Sequence, residues 1–284
     1  MTERMIRPGD AELCTESFGD PEDPPLLLIM GLGASMLWWD EAFCRLLADA
    51  GRFVIRYDHR DTGRSATSPP GRPGYSGQDL VDDAVGVLEA YDLPAAHVVG
   101  LSAGGGLGQL LALDHPDRVL SLVLISTSPA EPADRTLPPP TRAFLQFATS
   151  VDVDWSDPAS VADYLVDYER VLAGTERPFD AAGVKGLVAR DIARARDIRS
   201  IQNHDLLDDG GHRRPPLSSI TAPTLVIHGS ADPLFPPAHG MALAEEIPGA
   251  RFRQLDGAGH GLQRADWQDV ARMILEHTRG AATE

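Results

Sequence analysis

Cysteine is almost missing from this chain, with Cys14 and Cys44 alone in 284 residues. A single disulfide between them is conceivable, but two lone cysteines in a chain this long read as buried thiols in a reducing compartment. Basic residues are also scarce. Twenty-five Lys and Arg face 42 Asp and Glu, a net charge of −17. A phosphate backbone or an anionic bilayer would be repelled by most of such a surface, so neither nucleic acid nor membrane is expected as a partner. No long apolar run is present either. The longest apolar stretch, "PPLLLIMGLGASMLWW", is broken by glycines and too short to span a bilayer. The opening "MTERMIRPGD" is charged and lacks the apolar centre of a signal peptide, so a cytoplasmic location is expected. Internal repeats and low-complexity tracts are absent too.

What remains is the composition of a globular protein, 43% hydrophobic and 6% aromatic, long enough for one large α/β domain or two small ones. Short continuous apolar runs recur along it: "LLLIM" (26–30), "RFVIRYD" (52–58), "HVVGLS" (97–102), "VLSLVLIS" (119–126) and "PTLVIHGSAD" (223–232). Such runs suit strands buried on both faces of a parallel sheet. "RFRQLDG" (251–257) is a weaker, alternating version. Between the runs lie helical patterns, with Trp39, Phe43, Leu46 and Leu47 on one stripe and Leu80, Ala84, Leu88 and Tyr91 on another. A last stripe holds Trp267, Val270, Ile274 and Leu275, with Gly280 as its stop. Strand alternating with helix predicts right-handed crossovers and a mostly parallel sheet. The Pro-Gly-Asp turn at the start predicts an antiparallel hairpin on the sheet's edge.

The rhythm breaks between about Pro129 and Pro216, where no good strand run occurs and helical patterns centre on 141–149, 158–172 and 181–196. The expected organisation is therefore a core of residues 1–128 and 217–284, with a helical cap, 129–216, set between two strands.

"VVGLSAGGGLGQ" (98–109) carries the chemistry. Gly100 and Gly104 flank Ser102 where a buried strand gives way to a helix. Gly-x-Ser-x-Gly in that setting forms a sharp turn that holds the serine in a rare backbone conformation and lifts its side chain above the sheet. The bland alternative is a glycine-rich phosphate-cradling turn. The dinucleotide fingerprint fails here, because counting from Gly104 the sixth position is Gln109. A serine nucleophile needs a base and an orienting acid. His260, in the loop "DGAGHGL" after the last strand run, lies at the same sheet edge as Ser102. Asp232 follows "TLVIHGSADP" at another strand's carboxyl end and gives the order Ser, Asp, His; its bland role is to cap the turn before Pro233. Glu131, after the 119–126 run, is the rival acid. The oxyanion of the tetrahedral intermediate needs amide donors, for which Ala103 and, in "MGLGAS", Leu32 are the candidates.

The set "MGLG", "DHRDTGRS", "GLSAGG", "HGSADP" and "GAGH" resembles the α/β-hydrolase family over nearly the whole chain outside the 129–216 segment. Within it, "YDHRDTGRS" and the layout are most similar to aclacinomycin methylesterase and related actinobacterial polyketide-tailoring esterases. The resemblance implies an α/β-hydrolase fold, Ser102, Asp232 and His260 as triad, and Leu32 and Ala103 as oxyanion hole. It implies no cofactor and no metal. The chain departs from the common pattern at Met30, where many members carry histidine; the thioether hydrogen-bonds poorly, which leaves the support of that loop open. "DHRDTGRS" reads as structural, with Asp58, Arg60 and Arg64 tying the loop to neighbouring turns rather than His59 taking part in catalysis. Met30, Phe144, Phe147, Trp155 and Tyr164 are candidate lining for a substrate pocket, with Tyr168 and Phe179 nearby; at helical spacing such aromatics are as readily cap core. The acidic residues Asp163, Asp167 and Glu169 read as a solvated face.

The expected activity is hydrolysis of a small or medium apolar carboxylic ester, a methyl ester of a polycyclic natural product being one candidate. Lactone, carbon–carbon bond or peracid chemistry on the same scaffold, or non-catalytic ligand binding, are the alternatives. Aspartate-nucleophile chemistry is disfavoured by the serine at the elbow. The oligomeric state is not legible.

Overall fold

The computed structural model describes residues 3–130, 136–208 and 211–279. Glu131 and the helix stop at Gly280 lie outside the described residues. The first half runs β1 (Arg4–Ile6), β2 (Leu13–Phe18), β3 (Pro25–Ile29), α1 (Glu41–Ala48), β4 (Phe53–Tyr57), α2 (Gly77–Ala90), β5 (Ala96–Leu101), α3 (Ala103–Asp114) and β6 (Val119–Ile125). Then come α4 (Arg142–Ser150), α5 (Pro158–Leu172), α6 (Ala181–Arg194), β7 (Thr224–Gly229), α7 (Ala238–Glu246), β8 (Arg251–Leu255) and α8 (Trp267–Arg279).

The strands form one sheet in the order β1-β2-β4-β3-β5-β6-β7-β8. The expected edge hairpin is there: β1 pairs antiparallel with β2 through Arg4–Thr15 and Ile6–Leu13, and β2 pairs antiparallel with β4. From β4 to β8 every pairing is parallel. Two apolar layers explain the unbroken hydrophobic runs of the central strands. Leu27, Ile55, Val98 and Leu124 point into one layer with Leu80, Leu107, Leu111 and Leu243 of α2, α3 and α7. Leu26, Leu28, Val99 and Val123 point into the other with Phe43, Leu47, Val270 and Ile274 of α1 and α8. Strand β8 is an edge, largely exposed, which accounts for its alternating sequence.

Strands β6 and β7 are neighbours in the sheet, yet the chain between them holds α4, α5 and α6 and, among the described residues, no strand. Each of those helices starts where its sequence supplies a cap. Thr141 accepts from the Phe144 amide, Asp157 accepts from Ala159 with Pro158 behind it, and Asp180 accepts from Gly183. A 3-10 segment of nine residues, Ile198–Leu206, follows, which the periodicity did not predict.

Helix α6 and this 3-10 segment are knitted to the turn after β4. The Arg194 guanidinium lies 2.6 Å from the Asp58 carboxylate and donates to Glu3 at 2.7 Å. Asp191 accepts from the Trp38 indole at 2.8 Å. Asn203 donates to Asp61 at 2.7 Å, and the Gly71 amide donates back to Asn203. Asp58 also accepts from the Met36 and Arg64 amides at 2.9 Å each, and Arg60 donates to Asp83. Asp58, Arg60 and Arg64 thus brace this turn, as the sequence suggested. Their burial makes the bracing sensitive to charge: removing one partner of a buried pair strands the other. Asp58 is fully buried and the Arg194 side chain 8% exposed. Arg194→Met should therefore lower the unfolding free energy by about 3–5 kcal/mol, read from urea denaturation.

Candidate active site

Between the end of β5 at Leu101 and the start of α3 at Ala103, one residue must turn the chain, and Ser102 does so at φ 56°, ψ −126°. Such a conformation costs a non-glycine residue about 1–3 kcal/mol and persists only when its surroundings enforce it. Here they do. A Cβ on Gly100 would stand 2.2 Å from the Gly104 carbonyl oxygen, and one on Gly104 would stand 2.2 Å from that of Ile29. The first turn of α3 is thereby pressed onto β5 and β3. The Ser102 amide donates to the Ile125 carbonyl of β6 at 2.9 Å, and the side chain stands at the helix N-terminus, where the backbone dipoles favour negative charge.

His260 meets this hydroxyl. Its Nε2 lies 2.8 Å from Ser102 Oγ, and its Nδ1 lies 2.8 Å from Asp232 Oδ2. The three residues come from the loops after β5, β7 and β8, all at the carboxyl edge of the sheet. Asp232 fills both of the roles weighed for it. Oδ1 accepts from the Leu234 and Phe235 amides at 2.9 Å each and caps the turn, while Oδ2 faces the imidazole. A second imidazole, His228, stands 3.4 Å from Oδ2 and donates to the Phe235 carbonyl at 2.7 Å. Burial pushes the Asp232 carboxyl up, but hydrogen bonds from His228, His260 and the Phe235 amide outweigh it and hold the group well below the usual carboxylate range. His260 itself is hung from outside the sheet: its amide donates to the Leu172 carbonyl, the last residue of α5, at 2.8 Å.

The loop after β3 supplies the other wall. Gly31 packs against Ser102, since a Cβ there would stand 3.3 Å from Ser102 Cβ. Ala103, first residue of α3, has no intrahelical acceptor for its amide. Among the described residues the Leu32 amide makes no hydrogen bond. The support left open by Met30 comes from His59, whose Nε2–H donates to the Met30 carbonyl at 2.9 Å. The Met30 side chain is 7% exposed and packs in the apolar layer with Trp39 and Phe43.

Phe144, Phe147, Trp155 and Tyr164 form one ring cluster joined through Tyr168, with contacting centroids 5.8–6.1 Å apart. Phe147 and Tyr168 stack on Tyr164, Trp155 meets Tyr164 edge-on, and Phe144 meets Tyr168 edge-on. Phe179 is separate, under the Arg170 guanidinium. An open cleft of about 490 Å³ beside Trp155 is lined by Pro70, Gly71, Gln202, Asp205 and Leu206, not by Ser102 or His260. One acidic residue departs from its expected setting. Asp163 and Asp167 are exposed, but Glu169 is half-buried, and a Cβ on Gly261, next to His260, would stand 3.8 Å from its Oε2. Desolvation pushes its carboxyl up to about 7. Helical spacing put it with its neighbours; the approach of the His260 loop, invisible locally, shields part of it from water.

Among the described residues no group of three or more His, Cys, Asp or Glu is arranged to hold a metal ion, and no helix is long and apolar enough to cross a membrane. Cys14 and Cys44 are buried free thiols, each pushed up to about 12 chiefly by burial.

Residues 24–263 match the model of the α/β hydrolase fold. The chain belongs to the α/β-hydrolase family. It is similar to rhodomycin D methylesterase of Streptomyces sp. (strain C5), 38% identical with 99% of each chain covered. It is likewise similar to rhodomycin D methylesterase of Streptomyces peucetius, at 37% with the same coverage. Among solved structures, a meta-cleavage product hydrolase from Pseudomonas fluorescens IP01 superposes with a TM-score of 0.76 over 98% of both chains, at 21% identity. That likeness is one of fold.

Sequence reasoning missed His204 and His228. Three buried histidines, His204 among them, also shape stability. Desolvation pushes His59, His97 and His204 down to about 4 from an ordinary 6.5. Between those values the unfolded chain holds protons that the folded chain excludes, so the stability they contribute is present above about 6.5 and is lost as pH falls towards about 4. Unfolding at pH 5 should include proton uptake at these histidines, set against release from carboxyls such as Glu169 that folding keeps protonated, the balance being measured calorimetrically in buffers of different ionisation enthalpy. His97→Asn, remote from Ser102, should reduce that uptake by about one proton per molecule.

Proposed function

We propose that this carboxylic ester hydrolase attacks its substrate with Ser102, and that the substrate is a methyl ester on a polycyclic, largely apolar small molecule. The continuous chain Asp232–His260–Ser102, two 2.8 Å contacts long, is the observation that carries the reading. In it, His260 Nε2 takes the Ser102 proton as Oγ bonds to the ester carbon. The carbonyl π electrons move to oxygen, and that oxyanion is received by the Leu32 and Ala103 amides, each such donor being worth on the order of a hundred- to a thousand-fold in rate. Collapse breaks the bond to the methoxy oxygen, which leaves as methanol with the proton from His260. Water then gives its proton to His260 and attacks the acyl carbon, and Ser102 departs reprotonated. Asp232 stays ionised throughout and steadies the imidazolium.

The methyl ester is supported by the full-length likeness to two rhodomycin D methylesterases. Residues 129–216 serve as the cap that shapes the acyl side of the site, with the Phe144–Phe147–Trp155–Tyr164 cluster as its apolar body. The net charge of −17 fits a small-molecule substrate rather than nucleic acid or an anionic bilayer, and the free thiols fit a cytoplasmic setting.

A fluorophosphonate should label one residue, Ser102. Ser102→Ala should abolish the label, and His260→Ala should slow labelling and p-nitrophenyl acetate hydrolysis by about a thousandfold or more. Polycyclic methyl esters should yield the free acid and methanol. A folded protein that takes up no label is a ligand binder, and this reading then fails.

A further inference from the structure

Leu32 sits in a turn, and what holds that turn is a residue far away in sequence. The Ala34 amide donates to the Gly31 carbonyl at 3.4 Å, closing a four-residue turn with Leu32 and Gly33 at its centre. Gly33 has φ +77°, the left-handed value that a type II turn requires at its third position. In a planar trans peptide the N–H points away from the C=O. With the Gly31 carbonyl drawn inward to Ala34, the Leu32 N–H of the same peptide points out of the turn. Gly31 at the turn's start packs against Ser102.

The flanking peptides are each pinned by an imidazole. On the N-terminal side, His59 donates to the Met30 carbonyl. On the C-terminal side, the Gly33 amide donates to His204 Nδ1 at 2.7 Å, while His204 Nε2–H donates to the Arg60 carbonyl at 2.8 Å. The two bonds fix one neutral tautomer, acceptor at Nδ1 and donor at Nε2. The ring is 4% exposed and packs edge-on to His59, with centroids 6.2 Å apart. The bond to Gly33 has a specific consequence. Type I and type II turns differ by a flip of the central peptide, here Leu32–Gly33, and glycine accepts either form. An acceptor fixed beside the Gly33 N–H holds one of them. Because the Leu32 N–H keeps its direction in either form, what His204 secures for that amide is the closed turn itself, whose Ala34–Gly31 bond is long at 3.4 Å.

We propose that His204 is a positioning residue for ester cleavage, anchoring the central peptide of the Gly31–Ala34 turn so that the Leu32 amide stays aimed at the oxyanion. This inference rests on the ester-hydrolase reading above and assigns His204 no contact with substrate. It also gives the segment between β6 and β7 a part in the chemical step, because His204 belongs to that segment's 3-10 stretch, 171 residues from Gly33.

Two substitutions separate the two bonds. In His204→Asn the amide oxygen can stand where Nδ1 stood, keeping the Gly33 acceptor and losing the Arg60 donor. In His204→Gln the longer side chain reaches towards Arg60 and leaves Gly33 without an acceptor. With p-nitrophenyl acetate, the Gln variant should lose about ten- to a hundredfold in kcat, with KM within about twofold. The Asn variant should recover most of that loss. A trifluoromethyl ketone, whose adduct with Ser102 carries the oxyanion, should bind the Gln variant more weakly by the same factor as the fall in kcat/KM. Independently of activity, the wild-type protein should show a scalar coupling across the N–H···N bond between the Gly33 and His204 Nδ1 nitrogens. Equal kcat in the two variants, a lower melting temperature with unchanged kcat, or no coupling overturns the role of His204 alone. A wild-type protein that cleaves no ester and takes no fluorophosphonate overturns the ester-hydrolase reading and this inference with it.

Discussion

The backbone twist at Ser102 is the constraint on which the remainder of the site hangs. A side chain in that conformation projects from the sheet only if the strand before it and the helix after it close tightly around the turn. They do so because Gly100 and Gly104 give up their side chains: the carbonyls they approach leave no room for a methyl group. The cost is local and unfavourable on both counts, strain at the serine and lost stability from glycine within regular structure. It is offset by the two apolar layers that clamp β5 and α3 in place. A well-packed interior can hold a strained residue because it offers few alternative arrangements.

Around that fixed point, histidines divide the labour according to what else surrounds them. His260, between Asp232 and Ser102, has a carboxylate on one side and a hydroxyl on the other, the setting for proton transfer. His228 braces the same carboxylate from behind. His59 and His204 are buried with a backbone carbonyl as partner and lack an acid beside them, so desolvation keeps them neutral and they act as rigid hydrogen-bonding struts. The absence of a hydrogen-bonding side chain at Met30 is made good by the main-chain carbonyl of that same residue. The neighbouring strand's turn supplies the donor.

Much of this was legible in the sequence because it is local. Continuous apolar runs marked the parallel strands, the Pro-Gly-Asp turn marked the edge hairpin, and the residues closing the strand runs named Ser102, Asp232 and His260, which the fold then gathers at one edge. What was not legible depends on contacts across long separations. Nothing near "QNHDLL" says that His204 reaches Gly33, and nothing in the spacing of α5 says that Glu169 differs from Asp163 and Asp167. The 3-10 segment 198–206 has neither helical nor strand periodicity and is held by Ser68, Asp61 and Gly71 instead. Periodicity reports which face of an element is apolar, not which distant loop will lie against it.

The bond from the His260 amide to the Leu172 carbonyl ties the imidazole's loop to the end of α5, while Gly257 and Ala258 of the same loop bond to Ser230 and Ala231 just after β7. The sheet and the segment between β6 and β7 are therefore not independent at that seam. Exchanging the stretch between β6 and β7 would also replace the carbonyl that holds the His260 amide. Remodelling the end of α5 thus shifts the anchor of a ring that stands 2.8 Å from Ser102, and a change made far from the sheet is felt at its edge.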